Sequence, residues 1–464
     1  MNNEGEIKRT PLMIVLMSGA FVAILNQTLL GTALPHIMED LQIDAATAQW
    51  LQSIFMLVNG IMIPVTAFLI ERFTTRALFL TAMGSFALGT LVAAIAPSFS
   101  VLMIGRVLQA AGAGILMPLM QTIMFLIYPV EKRGTAMGLF GMIIAFAPAI
   151  GPTLSGWLVE TFPWRSLFYV VLPIAVIDLF IANKMLVNVT KQTYPKLDML
   201  SIILSTLGFG GILYGFSMAG DVNHEWLSTM VLIPLIVGAI ALFFFIRRQF
   251  KLEKPILEFR IFKYNMFTLT TVIGMVSFLA MIGGAIIIPL MMQDSLGFNA
   301  LHSGLALLPG AVLMGIMNPV TGRLFDKFGA KWLAVIGLAI LSVTTFLFAI
   351  LTTDTSYWYI VIVNAIRMLG IAMVMMPVTT AGLNTLPNEV IQHGTAMNNT
   401  MRQMSGALGT ALLVSVMISH AIPEDGLSGM IHGVNMSFLV AGFISVVGFI
   451  LAFFIKNSNP RKTA

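Results

Sequence analysis

Few side chains inside the apolar stretches of this chain can do chemistry. Arg106, Arg367 and Arg402 each place a guanidinium in such a stretch, and Asp178 places a carboxyl in another. A charged group at membrane depth is costly, so these residues are expected to mark an ion, proton or substrate path. Arg106 and Gln109 are three residues apart and share a helix face, with Gln121 on that side twelve residues further on. Asn398, Asn399, Arg402 and Gln403 form a strongly polar turn. A carboxyl reachable from both sides could carry a proton near neutral pH. Asp178, about 20 Å along its helix from Arg165, is one candidate. Asp40 and Asp294 lie near stretch ends. Enzyme chemistry has no such support. H-E-x-x-H, a Ser–His pair and paired acids are missing, and there is no Cys to act as nucleophile or thiolate ligand. An enzyme, a cofactor and a bound metal are therefore not expected.

The elements that must position these groups follow from composition. Of 464 residues 58% are hydrophobic and only 10% are charged, where a soluble domain carries about 25%. Mean hydropathy is +0.93. A soluble enzyme, a nucleic-acid-binding domain and a disordered chain are excluded. A bilayer span needs about 20 mostly apolar residues. Fourteen such stretches fall near 11–34, 48–70, 77–96, 100–127, 134–159, 165–186, 199–219, 227–246, 266–292, 301–325, 331–351, 357–385, 394–420 and 433–455. Their apolar runs are continuous rather than alternating, which excludes a β-barrel. The first run is too long for a signal-peptide core and reads as span 1.

Charge sets the topology. Of 25 Lys and Arg, three lie within spans, Arg165 opens span 6, and the other 21 all fall on one side. The opposite loops carry Glu39, Asp40, Asp44, Glu160, Asp221, Glu225, Asp294, Asp354, Glu424 and Asp425. Basic loops stay in the cytoplasm, so both termini are expected there. The net charge of +5 is thus a topology signal, not a sign of nucleic acid, and it favours contact with anionic lipid.

The chain also repeats itself. PVTAFLIERFTTRALFL at 64–80 matches PVTGRLFDKFGAKWLAV at 319–335, offset 255, with Glu71-Arg72 facing Asp326-Lys327. The same offset aligns LQIDA at 41–45 with LGFNA at 296–300, and GTAM at 134–137 recurs at 394–397. The expected architecture is an all-α polytopic membrane protein with two pseudo-symmetric six-helix bundles, residues 8–190 and 265–456. Between them, residues 191–264 hold spans 7 and 8 and a basic segment, 247–263, expected to lie as an amphipathic stretch on the inner surface. Parallel six-span repeats with a site at midplane describe a large class of secondary transporter.

On these residues the chain resembles the major facilitator superfamily, and its fourteen spans point to the branch of drug:proton antiporters. The loop after span 2 is a degenerate copy of G-x-L-x-D-R-x-G-R-[RK], with Glu71, Arg72 and Arg76; Gly322, Asp326, Lys327 and Gly329 form a better copy. The resemblance implies that both loops latch the bundles on the cytoplasmic side. Pro148, Gly151, Pro152, Ser155 and Gly156 in span 5 resemble the antiporter motif G-P-x-x-[GS]-G. Ala147, Gly151 and Ser155 share one face, where small residues let another helix approach, and the prolines would bend the helix. Arg106 resembles the arginine of the span 4 motif, linked in the family to proton transfer. The family's span 1 pattern, D-x-T-x-x-x-x-A-L-P, reads here Asn26-Gln27-Thr28 through Pro35. Asn26 cannot titrate, so either the coupling acid lies elsewhere, with Asp178, Asp40 and Asp294 as the candidates, or coupling is weak, or Asn26 and Gln27 only bind substrate.

The implied substrate cavity is lined by spans 1, 2, 4 and 5 and their counterparts. Candidates are Asn26, Gln27, Gln52, Phe55, Met56, Gln109, Met117 and Gln121, then Gln293, Asn398 and Arg402. The chain has 34 Met and 33 Phe, side chains suited to adaptable apolar binding. The six His are expected in solvated loops. The reading is a monomeric bacterial inner-membrane transporter that exports hydrophobic or amphipathic drugs in exchange for protons. The alternative is a lipid or glycolipid translocase of the same fold.

Overall fold

The computed structural model describes residues 9–190, 192–195, 197–219, 226–422, 424 and 426–456. Within them helix is the only regular secondary structure, and fourteen helices are long and apolar enough to cross a membrane. They are α1 Arg9–Leu41, α2 Ala45–Arg72, α3 Thr75–Ala94, α4 Phe99–Ile127, α5 Arg133–Thr161, α6 Ser166–Met185, α7 Met199–Ala219, α8 Thr229–Lys251, α9 Asn265–Leu290, α10 Ala300–Phe328, α11 Lys331–Leu347, α12 Tyr357–Leu383, α13 Ile391–Ser419 and α14 Gly426–Ala452. Helices α1–α6 pack as one bundle and α9–α14 as a second, with α7 and α8 inserted between them in sequence. Alternating spans bring the starts of odd helices and the ends of even ones to one end of the molecule. That end carries the basic loops and is here the basic end.

The repeat is visible in how helices begin. Asp44 caps α2 by accepting from the Thr47 N–H at 2.8 Å, and Asn299 caps α10 by accepting from the His302 N–H at 2.8 Å. The two caps stand 255 residues apart, the offset of the repeat. Each satisfies one orphan donor at a helix start. Gly329, at φ +79°, closes α10 in a backbone conformation that a side chain would disfavour.

Three expectations are corrected. Helix α14 starts at Gly426, seven residues before 433, and ends at Ala452. Its small residues pack closely there: Gly429 lies against the backbone of Ile422, in the turn after α13, and Gly433 against that of Met417 on α13. The segment 247–263 is not a surface amphipathic stretch. α8 runs on to Lys251, only Phe259–Lys263 form a short helical turn, and Ile256, Leu257, Phe259 and Ile261 are buried in protein. α1 continues to Leu41, so Glu39 and Asp40 belong to its last turn rather than to the following loop. The acids expected at 221, 225 and 425 lie outside the described residues.

Candidate functional site

Arg106, Gln109, Thr90 and Asn26 of the first bundle form one buried network. Arg106 is fully buried on α4. Its Nε donates to the Leu51 carbonyl at 3.1 Å and its Nη1 to Gln109 Oε1 at 2.9 Å. The guanidinium lies 4.3 Å from the centroid of the Phe55 ring, a cation–π contact that offsets part of its burial cost. Gln109 Nε2 donates to Thr90 at 2.9 Å and reaches Asn26 Oδ1 at 3.5 Å. Arg106 therefore does not snorkel to a surface. Asn26, Phe55 and Gln109, expected in contact with substrate, are buried inside the bundle and brace Arg106. Gln27, Gln52 and Met117 are half-buried, and Met56 is exposed on α2. Arg106 Nη2 and Asn26 Nδ2 have no protein partner.

The second bundle holds its arginines the same way. Arg367, 261 residues after Arg106, is fully buried on α12, donates to the Ala280 carbonyl and occupies the space that a side chain at Gly284 would fill. Arg402 on α13 donates to the Met375 carbonyl at 3.2 Å and to the Thr379 hydroxyl. Asn398 is buried with its Oδ1 unpartnered. Gln293 sits elsewhere: it is exposed in a single wide turn, Met291–Ser295, at the end of α9. It is not near midplane.

The acids separate clearly. Asp178 is buried on α6, accepts from the Ser18 hydroxyl of α1, and faces Gly19; its Oδ2 has no partner. It is thus in the interior of the first bundle and does not reach Lys184. Asp40 pairs with Arg165 at 2.7 Å and accepts from Trp164 Nε1 at 3.0 Å. Arg165 also donates to the Ala96 carbonyl, so this cluster ties α1 to the end of α3 and the start of α6. The Asp294 side chain lies outside what the structure describes.

The hydrogen bonds between the bundles gather at the basic end. Asp326, at the end of α10, accepts from the N–H groups of Gly134 (2.7 Å) and Thr135 (2.8 Å) and from the Thr135 hydroxyl (2.6 Å). A carboxylate is placed on the positive start of α5. Gly322 and Gly134 bring α10 and α5 so close that a side chain at Gly322 would run into the Gly134 carbonyl. At the pseudo-symmetric position Glu71, ending α2, accepts from His393 Nε2 at 2.8 Å and Gln392 Nε2 at 3.0 Å at the start of α13. Arg72 and Arg76 do not cross between bundles. Arg72 donates to the Pro195 carbonyl and Arg76 to Asn183. Lys327 is exposed beside Phe328, and Gly329 supplies the turn. Further in, Asn399 donates to Gln121 at 2.7 Å, Thr122 meets Thr395 at 2.7 Å, and Asn318 donates to the Gly141 carbonyl at 2.9 Å.

Several of these contacts were not foreseen. His393 is buried rather than solvated. Arg133, at the start of α5, donates to Asn384 at 3.0 Å and reaches Asn388 at 3.5 Å across the seam. A signal existed: Arg133 and His393 each immediately precede a GTAM copy.

The small face of α5 meets α1. Gly151 packs on Thr28, and Ser155 donates to the Leu29 carbonyl while accepting from Thr32, both at 2.5 Å. Pro148 and Pro152 are exposed, and Gly156 has open space beside it.

A bundle pair joined at one end, with buried arginines in each half, defines a membrane transporter built on an internal repeat. The sequence profile described as the Major Facilitator Superfamily matches residues 16–410, and the chain belongs to that superfamily. It is 56% identical over 459 residues to the uncharacterized MFS-type transporter YcnB of Bacillus subtilis (strain 168), covering 98% of this chain and 96% of that one. It is 43% identical over 462 residues to the lincomycin resistance protein LmrB of the same strain, covering 97% and 96%. Among solved structures, the human organic anion transporter MFSD10 superposes with a TM-score of 0.71 over 96% of this chain and 99% of that one. At 13% identity that likeness concerns the fold.

Proposed function

We propose that this protein exports hydrophobic or amphipathic drugs across a bacterial inner membrane by alternating access, in exchange for protons. The carrying observation is the one-sided joining of the bundles. Every hydrogen bond described between α1–α6 and α9–α14 lies from midspan to the basic end, from Asn399–Gln121 to Asp326–Gly134. With the basic loops in the cytoplasm, this is a state closed toward the cell interior. The drug class is supported by the likeness to a lincomycin resistance protein. Gln27, Gln52, Met56 and Met117 are the side chains proposed to touch substrate, while Asn26, Gln109 and Arg106 hold the helices behind them. Asp178 is proposed as the proton carrier. The bundles are taken as residues 8–190 and 265–456.

Purified protein in liposomes enclosing a pH-sensitive dye tests this. Adding monocationic or neutral amphipathic drugs without an imposed gradient is expected to move protons. Retained drug binding with no proton movement would overturn the antiport reading.

A further inference from the structure

The interior of the second bundle carries positive charge that its own residues do not balance. Away from the basic end, the first bundle buries one guanidinium, Arg106, and one carboxyl, Asp178. The second buries two guanidiniums, Arg367 and Arg402. Among the described residues its carboxyls lie elsewhere. Asp326 is bound to α5 at the basic end, and Asp354, Glu389 and Glu424 are exposed. A buried charge is costly unless it is paired and hydrogen-bonded.

The internal repeat shows what Arg367 lacks. Arg106 is held by the Phe55 ring and by Gln109. At the repeat offset of 255 residues, Phe55 corresponds to Gly310. At the 261 residues that separate the two arginines, Gln109 corresponds to Gly370. Glycine thus stands in place of both partners. Packing accounts for it. A side chain at Gly370 would lie 2.7 Å from the Gly337 carbonyl oxygen of α11, and one at Gly310 would lie 2.8 Å from Asn364 Nδ2. Arg367 keeps one partner, the Ala280 carbonyl, which takes Nη2; its Nε and Nη1 have none. One turn earlier on α12, Asn364 is fully buried, and neither end of its amide is partnered. Residues 364 and 367 share a face of α12. Against that face α9 presents Gly284, over the guanidinium, and α10 presents Gly310, over the amide. Arg367 is ten residues into α12, about 15 Å from the end remote from the basic loops.

We propose that Arg367 and Asn364 bind a small inorganic anion of the chloride class, a resident counter-ion inside the second bundle rather than a transported drug. The ion balances the guanidinium and accepts from its unpartnered N–H groups and from Asn364 Nδ2. The close walls at Gly284 and Gly310 exclude an organic acid. A monatomic halide accepts hydrogen bonds from any direction, so it suits donors that come from two side chains without a planar fork. Ordered water is the competing occupant. The site does not depend on the export reading, and its test measures binding rather than transport.

The purified full chain is melted in detergent while chloride replaces gluconate at constant ionic strength. The melting temperature is expected to rise saturably, by about 3 °C at a hundredfold excess over Kd. Asn364→Asp supplies a tethered carboxylate one turn from Arg367. Without chloride it is expected to melt at or above the chloride-saturated native chain, and to ignore the anion. Asn364→Leu removes the amide donor. It is expected to raise the chloride Kd at least tenfold, and it serves if the first variant does not fold. Native crystals grown in bromide need no variant, because anomalous scattering locates the ion; bromide is expected against Arg367 and Asn364. Equal melting temperatures in chloride and gluconate would overturn the site and leave the unpartnered donors to water. A chloride response unchanged in both variants, or bromide found only elsewhere, would overturn it as well.

Discussion

Asp326 on α10 and Thr135 on α5 lie 191 residues apart, yet the carboxylate of the first accepts both the backbone N–H and the hydroxyl of the second, at 2.8 and 2.6 Å. With the Gly134 N–H it takes three donors from one helix start. Because these bonds span the two bundles, the proposed alternating access requires them to break when the basic end opens. Under that proposal they act on the conformational equilibrium more than on the fold of either bundle.

Asp326→Asn keeps the shape but loses the charge on a helix start. Charge-assisted hydrogen bonds contribute about 1.5–3 kcal/mol, so the equilibrium is expected to move about tenfold or more toward opening of the basic end. Spin labels on Lys184→Cys and Trp332→Cys, both exposed, report the separation across that end. An unchanged distance distribution would mean that Asp326 is not a latch.

Gly322→Val tests the same closure sterically. The added side chain would meet backbone of Gly134, which cannot move aside as a flexible side chain could. Transport is expected to fall by more than tenfold, with the basic-end labels held apart. Gly156→Val, where a side chain meets nothing within 4 Å, is expected to fold and to close normally.

Asp178→Asn separates coupling from stability. Asn retains an acceptor for the Ser18 hydroxyl, so the melting temperature is expected to change by no more than a few degrees. Drug-driven proton flux is expected to disappear while drug binding remains. Full flux in this variant would remove Asp178 as the proton carrier.

The α7–α8 hairpin has its own pH dependence. Asp198, just before α7, takes two hydrogen bonds from Arg248 of α8, at 2.6 and 2.9 Å. The Arg248 guanidinium, through those bonds, holds the Asp198 carboxyl below the ordinary carboxylate range against a smaller opposing effect of burial. A lowered value in the folded state means that the contribution is complete above the ordinary carboxylate pKa and is lost as pH falls through the lowered one. Hydrogen exchange at the start of α7 should therefore be flat from pH 8 to 6 after correction for intrinsic rates, and protection should drop in stronger acid. Asp198→Asn is expected to show the reduced protection at every pH.

Arg106 is a packing group as well as a charge. Lys in its place would keep the charge but lose the fork that serves Leu51 and Gln109 together. Arg106→Lys is expected to lower the melting temperature and to cut transport by at least tenfold. A wild-type melting curve and rate would show that the fork is dispensable.

The sequence by itself determined the features that run along one dimension. The fourteen spans follow from apolar run length, the basic end from the alternation of Lys and Arg between loops, and the two bundles from an offset that also carries the caps Asp44 and Asn299. Asp326 was legible as a residue of interest because its loop is a recognisable second copy, and the structure sets it on the start of α5. Tertiary structure alone decided which face of each helix looks at what. Helices apolar all round carry no amphipathic stripe to orient them, so nothing in spacing buries Phe55 and Gln109 and leaves Met56 exposed. Nor could a loop pattern bury His393 against Glu71, 322 residues away, or place Asp40 on Arg165. Such pairs are set by helix packing, in which small residues fix how closely backbones approach. The same packing set α7 between α2 and α13.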